Sequence, residues 1–301
     1  MPHRPPLLLV LSLALAACGS CGGCGEEALV EGPHPYVRCA LAEPPEEPFE
    51  AGGLSFTPDE RVLRVEGAER VWAFSAGPGA AEALADAPDA PLLVLGGFAP
   101  DAETAAAFFE AVGERVALLL PGGEDDPEAL SEALDEAESP NLVDLRGVRR
   151  LDLGGASFLV LPGAPEGRYA LGEARCGYGE DDLEALRDAA DDVEGGLLSW
   201  AAPRGAGPGP DLGHGGVNAG DPALGALVEE LGLRGGVHAF PRTQAGRAFL
   251  DGAPASPGAA GALAVALPTA GLPDVRADGS RTRASGLLLE LAEGGLRVAS
   301  P

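Results

Sequence analysis

The sequence predicts an α/β fold in which mixed β-sheets are covered by helices. Three observations carry that expectation. From about residue 52 onward, short apolar runs ending in glycine or proline alternate with segments of helical period. The C-terminal part then holds strand patterns with no helix between them, as mixed sheets require. Finally, 301 residues with 46% hydrophobic content are enough to bury a full core without staples.

In order, Arg61 to Val65 and Arg70 to Ser75 read as strands, and Leu92 to Leu95 is a buried strand closed by Gly96-Gly97. Asp101 to Val112 is a helix with Phe108, Phe109 and Val112 on one side. Val116 to Leu120 is a second buried strand, ended by Pro121-Gly122-Gly123. Asp126-Pro127 opens a helix, with an N-cap carboxylate before a proline at the first helical position; Leu130 and Leu134 supply its inner stripe. Asn141 to Leu145, Leu151 to Leu153 and Ser157 to Leu161 are three successive strands. Asp181 to Val193 is an amphipathic helix, and Gly196 to Trp200 a strand. Asp221-Pro222 repeats the cap for a helix carrying Leu224, Leu227, Val228 and Leu231 and stopped by Gly232. Gly235 to Phe240, Leu263 to Leu267, Leu287 to Leu291 and Leu296 to Val298 complete the strands, and Asp251 to Gly261 reads as a loop.

The 47 acidic residues outnumber 20 basic ones, all arginine, for a net charge of −27, which repels phosphate backbones and excludes nucleic acid as a partner. Residues 1–17 read as a secretory signal: His3 and Arg4 precede an apolar run from Leu7 to Ala16, too short to span a bilayer. The run ends in Leu15-Ala16-Ala17-Cys18, which resembles the bacterial lipobox and implies lipid attachment at Cys18 and membrane anchoring in the cell envelope. Gly19 follows rather than aspartate, so the expected place is the outer membrane or cell surface. Residues 18–50 read as a flexible tether, rich in glycine and then in proline and glutamate, and residues 51–301 as the folded domain. With Cys18 acylated, Cys21, Cys24, Cys39 and Cys176 remain for up to two disulfides of open connectivity; no histidine lies at zinc-finger spacing.

The chemistry lies in the loops after the strands. Five segments stand out: Ser75-Ala76-Gly77-Pro78-Gly79; Gly96-Gly97; Gly122-Gly123-Glu124-Asp125; Ser199-Trp200-Ala201-Ala202-Pro203-Arg204-Gly205; and Gly235-Gly236-Val237-His238. Their order resembles the motif series of the calcineurin-like metallophosphoesterases, over roughly Arg70 to Val298. In that family S-D-x-H-G, G-D, G-N-H-[DE], S-H and G-H-x-H hold two metal ions that activate water and clamp a phosphate. The resemblance implies two mixed sheets packed as a sandwich and flanked by helices. It also implies a pocket that has lost its ligands: Ala76, Pro78, Gly97, Gly123, Trp200 and Gly236 stand where ligating side chains belong, and His238 is retained. Tryptophan offers only an N–H donor and cannot coordinate.

The expectation is therefore a non-catalytic binding or scaffold lipoprotein without a cofactor, whose protein or small-molecule partner the sequence does not name. The alternative is a divergent phosphoesterase with one divalent ion held by Glu124, Asp125, Asp211 and His238, with His238 and Asp125 catalytic. Against it, Glu124 and Asp125 read as a solvated helix start, His238 as a satisfied vestige, and His214 as a loop residue. Ser75 and Ser199 show no partnered histidine in either motif, and Cys176 is a poor nucleophile in an oxidising compartment.

Overall fold

Alternate residues of the central strands serve two different cores, as a period of two requires. Leu93 and Leu95, with Leu118 and Leu120, face inward against Phe56, Leu63, Val160, Leu198 and Val237 of a second sheet. Leu92 and Val94, with Ala117 and Leu119, face outward against Phe98, Phe108, Phe109 and Leu130 from the helices. The computed structural model describes residues 29–30, 36–165, 175–191, 193, 196–205, 207, 209–256, 258–282, 285–292 and 295–299. Within them the architecture is an α/β sandwich of helix, sheet, sheet and helix layers.

The first large sheet has seven strands, with Arg70–Phe74, Leu92–Leu95, Ala117–Leu120 and Leu142–Asp144 running parallel. Leu287–Ala292 joins it antiparallel beside Arg70–Phe74, as the late strands of the sequence require. The second has ten strands; its parallel centre is Ala156–Leu161, Gly196–Ala201, Gly236–Phe240 and Ala264–Ala266. Helices Ala102–Val112 and Pro127–Ala137 cover the first sheet. Helices Glu180–Asp188 and Pro222–Glu230 cover the second through Leu183, Leu186, Leu224 and Leu227. Asp101, Asp126 and Asp221 each accept backbone N–H bonds at a helix start, and Pro127 and Pro222 occupy the first turn as the capping pattern requires.

Four expectations are corrected. There are three sheets, not two: a small four-stranded one combines Leu29–Val30 and Tyr36–Arg38 with Ala164–Pro165 and Arg175–Tyr178. Residues 36–50 are consequently not a free tether. Tyr36 and Cys39 are buried, Cys39 is bonded to Cys176, Arg38 pairs with Asp182, and both Arg61 and Arg149 donate to the Ala40 carbonyl. Domain pairing thus begins before residue 51, and Phe49–Ala51 continues it as the edge of a hairpin with Leu54–Asp59. The helix expected over 181–193 ends at Asp188, although Val193 still packs against its cluster. The stretch Asp251 to Gly261 holds two short strands, Ala253–Pro254 and Ala260–Gly261, that finish the sheet edges. Cys18, Cys21, Cys24 and the signal sequence lie outside the described residues.

Candidate functional site

Four of the five segments singled out in the sequence lie at the carboxyl ends of the parallel strands; the fifth, from Gly235, instead opens the strand Gly236–Phe240 at its amino end. Ala76 N–H donates to the Gly96 carbonyl at 2.9 Å, which joins the first two loops. Asp125 joins the second and third: its carboxylate accepts from Gly97 N–H at 2.9 Å, Ala99 N–H at 2.7 Å and Gly122 N–H at 2.7 Å. Gly123 lies between Gly122 and Glu124 in that third loop. Asp125 is fully buried, so it is not part of a solvated helix start. Burial pushes its carboxyl up to about 6, against the lowering effect of the three N–H donors.

Gly97 carries a positive φ of 79°, and a Cβ there would lie 2.3 Å from the Ala76 carbonyl oxygen. An aspartate at this position has no room. We expect Gly97→Asp to lower stability by at least about 2 kcal/mol in urea denaturation, through strain and the displaced loop.

Trp200 reaches across from the second sheet and fills the space between the loops. Its indole lies within 2.1–2.6 Å of where Gly96 and Gly122 would carry a Cβ, so the absence of side chains there makes its seat. It stacks on Phe240 with ring centroids 4.8 Å apart and planes 13° from parallel, and it is 1% exposed. Its Nε1–H is buried and, among the described residues, has no hydrogen-bond partner. Phe240, which sequence reasoning missed as a site residue, backs the indole of Trp200. Two residues on, Arg242 Nη2 donates to Glu124 Oε2 at 2.6 Å and closes the rim of the pocket. Pro78 is exposed on the first loop, where its carbonyl faces Gly271.

Gly236 is the first residue of its strand and His238 the middle one, so neither stands at the carboxyl end beside Trp200, contrary to the pocket the resemblance implies. Ser199 is the register partner of His238, and Leu197 of Gly236. Ser199 Oγ lies 3.0 Å from His238 Nδ1 and donates to the Ala201 carbonyl at 2.6 Å, so Ser199 does have a histidine partner, contrary to the motif reading. A hydroxyl has one proton. Since Ala201 receives it, Nδ1–H must donate to Ser199, which makes this pair a structural link and not a base aimed at a nucleophile.

Burial holds the His238 imidazole down to about 3, against the raising effect of Ser199. Between that value and the ordinary 6.5, the unfolded chain takes up a proton that the folded chain refuses, so this group removes stability as the pH falls. Asp125 acts in the opposite sense, since its folded value is raised. Its contribution is greatest at acid pH and is lost as the pH rises through about 6. In parallel denaturations at pH 7 and pH 5, His238→Gln should therefore lose about 2 kcal/mol less than the wild type.

The four residues of the alternative metal site are each engaged elsewhere. Glu124 is paired with Arg242 and Asp125 clamps backbone amides. Asp211 holds its own loop through Gly205 N–H and the Asn218 amide, and His238 is tied to Ser199. Among the described residues, no three histidine, cysteine, aspartate or glutamate side chains form a group that could hold a metal ion. The residues present do not fit a two-metal centre. His214 is exposed in a short turn, and Cys176 is spent in its disulfide.

Neither a family model nor a curated protein matches the chain. A solved crystal structure aligns with 78% of this chain and 99% of its own length, at 14% identity and a TM-score of 0.51. The two share an α/β sandwich fold. The crystal structure of TT1561 from Thermus thermophilus aligns over 60% of this chain and 84% of its own, at 20% identity and a TM-score of 0.43.

Proposed function

We propose that this chain is an envelope-anchored lipoprotein whose domain keeps a calcineurin-like frame and serves a non-catalytic binding or scaffold role. One observation carries the reading: Trp200 fills the space at the strand ends where the motif order would place metal ligands, seated on Gly96 and Gly122 and backed by Phe240. The surrounding positions, Ala76, Gly97 and Gly123, offer no side-chain donors. The polar groups that remain nearby serve internal bonds, so each would have to break one to bind an ion.

The test is to purify the chain without its signal sequence and load it with manganese, iron, zinc or magnesium. Phosphomonoesters, phosphodiesters and nucleotides are then assayed. The expected result is turnover at the blank rate and less than about a tenth of an equivalent of any metal retained, against the full equivalent of a catalytic ion. Metal-dependent turnover abolished by His238→Ala would establish the divergent hydrolase instead.

A further inference from the structure

The net charge of −27 is not spread evenly along the chain. Residues 1–200 hold 38 acidic and 12 basic residues, whereas residues 201–301 hold 9 and 8, so nearly all of it belongs to the first part. The second part supplies the loops after three neighbouring parallel strands, Gly196–Ala201, Gly236–Phe240 and Ala264–Ala266. These loops are bonded side by side. Thr243 Oγ1 and Gln244 Nε2 donate to the Leu212 carbonyl at 2.8 and 2.9 Å. Arg276 Nε donates to the Ala245 carbonyl, and Ala277 N–H to the Thr243 carbonyl, each at 2.8 Å.

Among the described residues, the exposed large hydrophobic side chains are Val217 at 63%, Leu272 at 46% and Val275 at 48%, and all three belong to these loops. The acids of the same loops are withdrawn or paired: Asp211, Asp221 and Asp274 are buried, and Asp278 is held by Arg247. Single apolar residues are ordinary on a surface, but three on adjoining loops whose acids are all buried or paired make a face able to meet an apolar phase.

The chain enters the domain at this same end of the sandwich. Tyr36–Arg38 pairs with Arg175–Tyr178, which is bonded to strand-end loops of the seven-stranded sheet: Arg175 Nη1 donates to the Pro100 carbonyl at 2.7 Å, and Cys176 N–H to the Asp125 carbonyl at 3.1 Å. The seat of Trp200 on Gly96 and Gly122, and the Arg242–Glu124 ion pair, bring the strand ends of both large sheets together. From Cys18 to Leu29 the chain advances eleven residues, which reach at most about 40 Å when fully extended.

We propose that this end of the domain faces the bilayer, with the loops bearing Val217, Leu272 and Val275 resting in the lipid–water interface and the acid-rich part turned to water. The inference rests on the lipid anchor proposed above, which sets the distance to the membrane but not which face meets it. Two effects set the face. Apolar surface gains about 25 cal/mol per Å² removed from water. An anionic leaflet repels the acid-rich part and spares the neutral one.

The test separates orientation from acylation. The chain from Gly19 onward, with a histidine tag in place of the acyl group, is held on phosphatidylcholine vesicles containing a minority of phosphatidylglycerol and a nickel-chelating lipid. Val217→Trp, Leu272→Trp and Glu110→Trp are each compared on vesicles with and without bromine on the acyl chains, a short-range quencher of indole emission. Glu110 is exposed near the end of helix Ala102–Val112 that points away from the strand-end loops. Emission from Val217→Trp and Leu272→Trp, above that of the wild type, should fall by about half on brominated lipid, since interfacial apolar groups sit roughly 5–10 Å into the boundary of headgroups and chains. Emission from Glu110→Trp should not fall. Leu272→Asp/Val275→Asp, at exposed positions where folding is little affected, should restore the emission of Val217→Trp. The inference is overturned if bromine leaves both rim variants unchanged or quenches Glu110→Trp equally. It is also overturned if the rim indoles shift to the blue with protein concentration in the absence of vesicles, which would make a second copy of the chain the occupant. Acylation of Cys18 is read separately, by the mass of the full chain made in a bacterium; a chain without the acyl group would refute the anchor whatever the quenching shows, so the two failures are told apart.

Discussion

Trp200→Ala is expected to lower the unfolding free energy by about 3–5 kcal/mol, measured by urea denaturation at constant m-value. The indole is buried on all sides, seated on Gly96 and Gly122 and stacked on Phe240. Neither glycine can send a side chain into the space left behind, and the Asp125 clamp holds both loops in place, so the cavity cannot collapse. Trp200→Phe separates packing from polarity. It keeps most of the aromatic volume and removes the N–H that is buried without a partner among the described residues, so it should cost less than about 1.5 kcal/mol. If Trp200→Ala cost under about 1 kcal/mol, the indole would not be filling the strand-end space, and the proposed loss of metal chemistry would lose its main support.

Removal of the Cys39–Cys176 bond is expected to have the largest effect on stability. The two residues are 137 apart, and closing so long a loop in the unfolded chain accounts for about 5 kcal/mol in the chain-entropy view. Cys39→Ser/Cys176→Ser should show that loss in urea denaturation, and reduction of the wild type should reproduce it. The loss should appear as one cooperative transition. The segment from Tyr36 is held by pairing with Arg175–Tyr178, by the Arg38–Asp182 ion pair and by the bonds of Arg61 and Arg149 to Ala40, which tie it to the domain independently of the sulfurs. Two separated transitions would mean that the segment melts by itself and stabilises nothing beyond its own length.

Legibility followed the sequence distance over which each feature is decided. Leu92–Leu95 and Ala117–Leu120 could be read because an unbroken apolar run and the glycines after it are adjacent in the chain. The capped helices starting at Ala102, Pro127 and Pro222 could be read for the same reason. Tyr36–Arg38 could not, since three residues carry no period and the partner strand starts at Arg175. Arg247–Leu250 is likewise held by its antiparallel partner Ala264–Ala266 more than by its own pattern. At the site, the gathering of four of the five segments was legible from their glycines and prolines at strand ends; Gly235-Gly236 was not, because these glycines open their strand instead of closing it. The bonds that assign each polar group were not, because they depend on register. Ser199 meets His238 through parallel pairing across 39 residues, and Arg242 meets Glu124 across 118. The stacking of Phe240 on Trp200 follows from that same pairing, in which Phe240 lies opposite Ala201.

The Asp125 clamp has a consequence for motion. One carboxylate collects amides from the loop after Leu92–Leu95 and from the loop after Ala117–Leu120, so neither loop can lift away without freeing the other. Solvent deuterons therefore reach Gly97, Ala99 and Gly122 through a single shared opening, and the three amides form one protected unit whose lifetime is set by the least accessible acid of this rim.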